Sequence, residues 1–318
     1  MAEGSSFHAG EVAVVGRPNV GKSTLVNRLV GEKVAIVSDK PQTTRKRVLG
    51  IARLPDAEIA LVDTPGIHRP HFRMNAAMVR EATDALATAD VVLWLVDASE
   101  KAGKGEEFIL GLLERAKTPA ILVLNKIDLI GKEKLLPVIA RFSQRREFAE
   151  IVPVSAKTGD GVERLAGLIA RHLPERGGAY PEDFLTTTPQ TEWISEIIRE
   201  KLLERTRDEL PFASAVLVDS IEERDDRDEK DDRDEKAGNE RKGLTVVTAS
   251  IVVEREGQKG IVVGKGGTMI RDIGTAARRE LEEETGRRFF LDLHVKVRED
   301  WRNDERFLSS LVRDPHGT

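Results

Sequence analysis

The apolar positions of the first half of the chain gather into five short runs: Val12 to Val15, Ile59 to Val62, Val91 to Val96, Ala120 to Leu124 and Ile151 to Val154. Each run is continuous rather than alternating, which predicts strands buried on both faces. Segments with helical spacing fall between most of them, and Val162 to Leu173, after the last, is amphipathic. This alternation predicts an α/β fold, a mostly parallel sheet covered by helices on both faces, with functional groups at the carboxyl ends of the strands.

The pattern changes after Leu173. Pro174-Glu175-Arg176-Gly177-Gly178-Ala179-Tyr180-Pro181-Glu182-Asp183 is polar and rich in breakers. Two prolines and two glycines between patterned segments mark a boundary, giving a first domain over 1–175, a linker over 176–189 and a second domain over 190–318. In the second domain Thr191 to Arg207 reads as a helix with Trp193, Ile194, Ile197, Ile198, Leu202 and Leu203 on one side. Ala213 to Ile221 and Leu244 to Glu254 alternate as the strands of a hairpin. A helix, the turn Gly264-Lys265-Gly266-Gly267 and a second helix to about Glu284 follow, then a strand over Phe289 to Val297 and a terminal helix over Trp301 to Val312. This half is α+β.

Composition narrows the classes. The 318 residues suffice for more than one core, and 33% charged against 40% hydrophobic residues is ordinary for a soluble protein. No apolar run approaches the roughly 18 to 20 residues of a membrane span. The start, MAEGSSFHAG, lacks a basic segment followed by an apolar one, so the expected localisation is cytoplasmic. The absence of cysteine excludes disulfides, thiolate metal sites and a Cys nucleophile, and agrees with a reducing compartment. The net charge of −5 is local: Glu222 to Lys236 holds ten acids and five bases, so the remainder is balanced and the global charge does not argue against a nucleic-acid partner.

The chemistry lies at the ends of the predicted strands. Gly16-Arg17-Pro18-Asn19-Val20-Gly21-Lys22-Ser23 follows Val12 to Val15 and leads into Thr24-Leu25-Val26-Asn27-Arg28-Leu29. A strand, a glycine-bounded loop and a helix start form a cradle for a triphosphate. Loop N–H groups and the helix end surround the phosphates, Lys22 reaches the β and γ oxygens, and the Ser23 hydroxyl ligates Mg²⁺. Asp63-Thr64-Pro65-Gly66 follows the second run. There Asp63 can hold Mg²⁺ through water, while the Gly66 N–H can meet a γ-phosphate. Asn125-Lys126-Ile127-Asp128 follows the fourth run and selects the base. A carboxylate at Asp128 accepts from guanine N1–H and the 2-amino group, whereas adenine presents it with a lone pair. Ser155-Ala156-Lys157 would close over the same base. Between these motifs lies Pro41-Gln42-Thr43-Thr44-Arg45, flanked by Lys40, Lys46 and Arg47. Thr44, preferred to Thr43, is the candidate that swings onto Mg²⁺ when the γ-phosphate is present.

With GRPNVGKS, PQTTR, DTPG, NKID and SAK in this order, the first domain resembles the translation-factor-like P-loop GTPases. Within them it is similar to the Era group, whose first motif has this Asn and whose second has this Gln-Thr-Thr-Arg. The resemblance implies GTP and GDP as ligands, Mg²⁺ as cofactor, and nucleotide contacts over Gly16 to Thr24, Asp63 to Ile67, Asn125 to Asp128 and Ser155 to Lys157. Where many G proteins place a glutamine after the switch glycine, this chain has Ile67, which can neither donate nor accept. The resemblance therefore implies slow hydrolysis that something else assists. In related GTPases an Asn at the position of Asn19 helps to hold a monovalent cation, so K⁺ is a candidate cofactor. Lys22, Asn19, Thr44 and Gly66 are the candidate catalytic groups.

The order helix, strand, strand, helix, Gly-x-x-Gly, helix, strand in the second half resembles a prokaryotic-type (type II) KH domain. Gly264 and Gly267 permit a sharp turn that brings backbone N–H groups, Gly266 and Lys265 against a nucleic-acid backbone. An apolar groove lined in part by Val262, Val263 and Ile270 would receive about four unpaired bases. Lys259 and Arg271 are further candidate RNA contacts, and Arg278 and Arg279 fit a solvated helix face equally well. Glu254-Arg255-Glu256-Gly257-Gln258-Lys259 also matches the Era pattern. The whole-chain resemblance implies a monomer that binds 16S ribosomal RNA near its 3′ end, acts in assembly of the small ribosomal subunit and associates loosely with the inner face of the membrane. One departure is the perfect tandem hexapeptide Asp225 to Lys230 and Asp231 to Lys236, within an insertion over 222–242 between the two hairpin strands. It cannot bury apolar surface, and reads as a solvated insertion rather than an acidic arm. Two other functions stay open: a GTPase coupled to another RNA-processing or modification step, and a membrane-associated signalling GTPase.

Overall fold

The structure is a computed structural model that describes residues 6–40, 43–67, 72–101, 103–116, 118–224 and 243–312. The chain forms two compact units, Met1–Thr188 and Pro189–Thr318.

In the first unit β1 (His8–Gly16), β2 (Val48–Leu54), β3 (Ala57–Asp63), β4 (Val91–Asp97), β5 (Ala120–Asn125) and β6 (Glu150–Pro153) form one sheet in the order β2-β3-β1-β4-β5-β6. Every neighbouring pair is parallel except β2 with β3. The five apolar runs supply the parallel strands. Along β1, Val12 and Val14 enter one core with Leu25, Val26, Leu165 and Ile169, while Ala13 and Val15 enter a second with Ala82, Leu86, Ile109 and Leu113. Period-two alternation thus operates inside a continuous apolar run because helices cover both faces. The covering helices are α1 (Lys22–Val30), α2 (Arg73–Thr88), α3 (Lys104–Arg115), α4 (Leu135–Ser143) and α5 (Val162–His172).

The antiparallel edge strand β2 lies outside the five apolar runs. Gly50 interrupts its apolar pattern, for a packing reason: a Cβ there would stand 2.8 Å from Val30 Cγ2 and 2.9 Å from Val34 Cγ2. The segment read as a linker folds onto the first unit along this strand. Ile51 N–H donates to the Leu185 carbonyl at 2.9 Å, Arg53 Nη1 donates to that of Phe184 at 2.9 Å, and Ala179 N–H donates to Glu58 Oε1 at 2.7 Å. Breaker-rich composition sets the turns of this segment without preventing its backbone from pairing with an open sheet edge.

The second unit begins with α6 (Gln190–Arg205) and the single turn α7 (Leu210–Ala213). It continues through β7 (Ser214–Arg224), β8 (Leu244–Val253), α8 (Glu256–Val263), α9 (Thr268–Thr285), β9 (Arg288–Val297) and α10 (Glu305–Val312). The sheet order is β7-β8-β9, antiparallel then parallel. Ile194, Ile197, Ile198, Leu202 and Leu203 of α6 are buried with Ile273, Ala277 and Leu281 of α9 and Val247, Ala249 and Ile251 of β8, whereas Trp193 is only partly buried. The terminal helix is shorter than its pattern suggested. Trp301–Asn303 is a separate turn, and the Asp304 carboxylate accepts the N–H groups of Arg306 and Phe307, restarting the chain as α10. Trp301 is fully buried and donates its indole N–H to the Ala213 carbonyl at 3.1 Å. The tandem acidic hexapeptide lies outside the described residues.

Candidate nucleotide site and RNA interface

The loop after β1 is shaped by what surrounds it. A Cβ at Gly16 would lie 2.6 Å from the Leu95 carbonyl oxygen. Gly21 has φ +95°, and a Cβ there would lie 2.3 Å from Asn125 Nδ2. Both geometry and space therefore require glycine at position 21. Lys22 opens α1 with its side chain 6% exposed, and Nζ donates to the Arg17 carbonyl at 3.0 Å and the Gly16 carbonyl at 3.3 Å. Burial lowers its pKa to about 8, against the pull of the Asp63 carboxylate.

Ser23, Thr44 and Asp63 come together from three elements. Ser23 Oγ donates to Asp63 Oδ2 at 2.6 Å, Thr44 Oγ1 donates to the same oxygen at 3.2 Å, and the two hydroxyls are 3.0 Å apart. Thr43 instead donates to the Lys40 carbonyl at 2.6 Å, and Pro41 and Gln42 lie outside the described residues. Asp63 is fully buried. Burial raises its pKa, opposed by Lys22 and the two hydroxyls, and its Oδ1 is buried with no hydrogen-bond partner. Two hydroxyls and a carboxylate with an unspent buried oxygen are the hard oxygen set that Mg²⁺ takes, so these residues fit that ion. Above them is a recess of about 380 Å³ lined by Pro18, Asn19, Gly21, Lys22, Ser23, Thr24, Thr43, Thr44 and Gly66, and by Ile36, Val37 and Ser38. The last three were missed in the sequence. The residue that brings them there is Asn27 of α1, whose Oδ1 accepts Val34 N–H at 3.0 Å and Ala35 N–H at 2.9 Å while Nδ2 donates to the Ala35 carbonyl at 2.7 Å.

The base-side motifs also meet. Asp128 lies in a turn after β5, and its Oδ1 accepts Ser155 Oγ–H at 2.7 Å. Asn125 is 2% exposed. Its Nδ2 donates to the Val20 carbonyl at 2.7 Å and its Oδ1 accepts Ala156 N–H at 2.9 Å, so it bolts the phosphate loop to the loop after β6. Lys126, at φ +65°, pairs with Asp97 at 2.7 Å. Burial alone would raise the pKa of Asp97, but hydrogen bonds from Lys126 and Ser99 outweigh it and hold the carboxyl below its ordinary value. Arg28, also missed, donates Nη2 to the Lys157 carbonyl at 2.6 Å and Nε to that of Ala156 at 3.4 Å.

Several candidate contacts turn their side chains elsewhere. Arg17 reaches Glu106 at 2.8 Å and Glu100 at 3.3 Å. Thr64 is fully buried and donates to the Val14 carbonyl at 2.8 Å. Ile67 is 1% exposed and packed in the core with Val15 and Val62, while its N–H donates to the Gly16 carbonyl at 3.1 Å. These residues stand at the site through their backbone. Gly66 is pressed against the loop, with a Cβ there falling 2.8 Å from Pro18 Cα.

In the second unit Gly264, Gly266 and Gly267 all have positive φ, at 72°, 62° and 78°. A Cβ at Gly264 would stand 2.8 Å from the Met269 backbone nitrogen, whereas nothing lies within 4 Å of one at Gly266 or Gly267. Lys265, Gly266 and Arg271 are exposed, and Lys259, Val263, Gly267 and Ile270 are partly so. Val262 does not line a surface groove. It is fully buried, and the neighbouring Ile261, 52% exposed, is the outward residue of that turn. Gln258, 4% exposed, accepts Glu254 N–H at 2.9 Å and Arg255 N–H at 3.2 Å with Oε1, fixing the start of the helix that leads into the turn.

A phosphate loop backed by a hydroxyl–carboxylate cluster, in a chain whose second unit presents a Gly-x-x-Gly turn between two helices, defines a P-loop GTPase fused to a KH domain. Family models agree: one described as 50S ribosome-binding GTPase matches residues 11–126, and one described as KH domain matches residues 234–302. GTPase Era of Geobacter metallireducens is 48% identical over 305 residues, covering 96% of this chain and 97% of that protein, and GTPase Era of Geotalea daltonii is 45% identical over the same shares. A crystal structure of Era with MgGDPNP and nucleotides 1506–1542 of 16S ribosomal RNA superposes with TM-score 0.88 at 38% identity, over 96% of this chain and 98% of that one. An Aquifex aeolicus Era variant bound to GDP and AlF₄⁻ does so with the same score and identity, over 96% of this chain and 99% of that one. The chain belongs to the Era family of GTPases.

Proposed function

We propose that the chain is a GTP-hydrolysing switch whose KH unit holds single-stranded RNA near the 3′ end of 16S ribosomal RNA during assembly of the small subunit. The observation that carries the switch is the meeting of Ser23 and Thr44 on one buried carboxylate oxygen of Asp63. Thr44 belongs to the loop before β2, so an ion held by these three groups would tie that loop to the phosphate site. When bound, Mg²⁺ would supply charge neutralisation at the phosphate oxygens.

The chain's own residues do the rest. Lys22, drawn off the Gly16 and Arg17 carbonyls, meets β and γ oxygens, and the Gly66 N–H faces the γ-phosphate. Water attacks phosphorus in line, with the developing charge spread over these donors. Asp128, held by Ser155, accepts from guanine. Asn19 is exposed, its Nδ2 donates to the Asp39 carbonyl at 2.6 Å, and its amide oxygen has no partner among the described residues, so that oxygen is the group that would hold K⁺. Equal turnover in K⁺ and Na⁺ would remove that role.

RNA recognition rests on the exposed Lys265-Gly266 turn and the partly exposed Val263 and Ile270. No described helix is long and apolar enough to cross a membrane, so the membrane association implied by the family resemblance would be peripheral. The test is filter binding of a 16S 3′-end fragment to the chain loaded with GDPNP or GDP, beside the double variant Lys265→Asp, Gly266→Asp. Tighter binding in the GDPNP state, lost in the variant while GDP affinity is kept, is expected. RNA affinity that is indifferent to the nucleotide or to the variant sinks the proposal.

A further inference from the structure

The connection from β4 to α3 carries no nucleotide motif, yet its two ends hold both halves of the nucleotide site. At one end Asp97 takes Lys126 of the base-side motif at 2.7 Å. At the other, Glu106 in the first turn of α3 takes Arg17 of the phosphate loop at 2.8 Å. Glu100, within the connection, adds a second contact to Arg17 at 3.3 Å.

The Arg17 contact is shaped on both sides. The Glu106 side chain is 8% exposed and both its oxygens are engaged: Oε1 accepts from Arg17 Nη1, and Oε2 accepts Gly103 N–H at 2.7 Å. A charged hydrogen bond shielded on one side in this way is stronger than a fully exposed ion pair. The Arg17 stem crosses α3 where Gly105 leaves room, since a Cβ at Gly105 would stand 2.8 Å from Arg17 Cδ and 3.1 Å from its Cγ.

What this contact holds is one particular part of the phosphate loop. The Arg17 carbonyl accepts Lys22 Nζ at 3.0 Å, so its position bears on that of the ammonium. Pro18 follows, without an N–H to donate to a neighbouring element. Gly66 rests on it: a Cβ at Gly66 would stand 2.8 Å from both Cα and Cγ of Pro18. Arg17 therefore lies between the two donors, Lys22 and the Gly66 N–H, that hydrolysis brings to the γ-phosphate. The other half of the loop has its own anchor, because Asn125 Nδ2 donates to the Val20 carbonyl at 2.7 Å. We propose that Glu106 is a positioning residue for GTP hydrolysis: through the Arg17 side chain it braces the γ-phosphate side of the loop, so that Lys22 and the Gly66 N–H converge on the transferred group. This rests on the roles given above to Lys22 and Gly66. Misplacing such donors by about 1 Å slows a reaction by up to about 10²-fold. GDP lacks the γ-phosphate and is gripped by the helix start and the base-side loops, so its affinity should hardly register the brace.

The experiment measures single-turnover GTP hydrolysis with the full chain in excess, beside GDP affinity and urea unfolding. Arg17→Ala leaves the bond from Gly103 N–H to Glu106 in place, and Glu106→Ala removes both bonds. Each should slow hydrolysis about tenfold while GDP affinity stays within about threefold. Their double variant should be no slower than either single, because both act through one pair. Gly105→Ala separates positioning from stability. Its methyl displaces the Arg17 stem while alanine is the better helix former, so hydrolysis should slow with no loss of stability in urea. A full rate in any of the three single variants, slowing that multiplies in the double, slowing of Gly105→Ala only with lost stability, or GDP affinity that falls in step with the rate would each overturn the brace. Lys22→Ala tests the reading beneath it. Undiminished hydrolysis there would refute the phosphate-loop assignment itself, whereas loss in Lys22→Ala beside a full rate in the other variants refutes the brace alone.

Discussion

Gly21 and Asn125 make a testable pair because one occupies the space that a side chain on the other would need. Gly21→Ala places a methyl on a φ of +95° and drives it to 2.3 Å from Asn125 Nδ2. The left-handed conformation alone costs about 1–2 kcal/mol. Displacing the Asn125 amide strips the Val20 carbonyl and the Ala156 N–H of their partners, at about 1–3 kcal/mol in all once partial rearrangement is allowed. Gly21→Ala should therefore destabilise the first unit by about 3 kcal/mol, and Asn125→Ala, which empties the same two bonds, by about 2–3 kcal/mol. In the double variant the clash is gone and only backbone strain is added to the Asn125→Ala loss. The double should then cost about 4 kcal/mol rather than the roughly 5–6 of the sum, a coupling of about 1–2 kcal/mol. Urea unfolding of the nucleotide-free chain labelled with 5-fluorotryptophan isolates the first unit, because Trp94 is its one tryptophan and Trp193 and Trp301 belong to the other. Additivity within about 0.5 kcal/mol would refute the argument that Gly21 is required by Asn125.

Burial holds Lys22 at about 8, below its ordinary 10.5, so the folded chain gives up this proton more readily than the unfolded one. The nucleotide-free chain should therefore gain stability as pH rises from about 8 toward 10.5 and lose it again as pH falls through that window. Lys22→Met should flatten the profile by about 3 kcal/mol, measured by urea unfolding across the range, and parallel profiles would contradict it. Asp128→Asn should move base preference from guanine toward xanthine while leaving the fold intact, since an amide oxygen can still accept Ser155 Oγ–H; competition between fluorescent GDP and XDP decides, and retained guanine selectivity counts against this reading. Ile67→Gln should not install a catalytic glutamine. The side chain is in the core, so the change should cost about 2–4 kcal/mol of stability and leave GTP turnover no faster, and a rate increase in a phosphate-release assay would disprove the inward orientation.

The parallel strands and the order of the loops were readable because buried strands impose continuous apolar runs and phosphate loops impose glycine at fixed spacing. What was not readable shares a physical cause. β2 escaped because Gly50 makes room for Val30 and Val34, which are distant in pattern from the strand, although Pro55-Asp56 between two apolar runs is a hairpin signal that was there to be used. The segment 176–188 has no apolar period and is positioned by one backbone bond to β2, by the Arg53 side chain and by Glu58, which composition does not encode. Within the site, motif spacing gave the residues but not the direction of their side chains. Arg17, Thr64 and Ile67 sit in the motifs and turn away, whereas Asn27 and Arg28 lie just outside them and hold the loops.

Those two residues show how one short helix serves every loop around it. Ser23 and Asn27 are four apart in α1 and so share a face, one turn from each other. Ser23 meets Thr44, and Asn27 binds Val34 and Ala35, so both ends of the segment 34–44 are fastened to a single face of a rigid element. Ile36, Val37 and Ser38, which line the recess, fall between these anchors. Arg28, one residue on, reaches instead to the carbonyls of Ala156 and Lys157, and Lys22 at the helix start holds the phosphate-loop carbonyls. The Asn27 end carries three hydrogen bonds to side-chain atoms. At the other end Thr44 holds one carboxylate oxygen, shared with Ser23, at 3.2 Å. The Thr44 end thus hangs on a single bond, whereas three must break together at the Asn27 end. Release of the segment therefore begins at Thr44, while β2, which follows it, keeps its register through the antiparallel ladder with β3 from Val48–Asp63 to Leu54–Ala57.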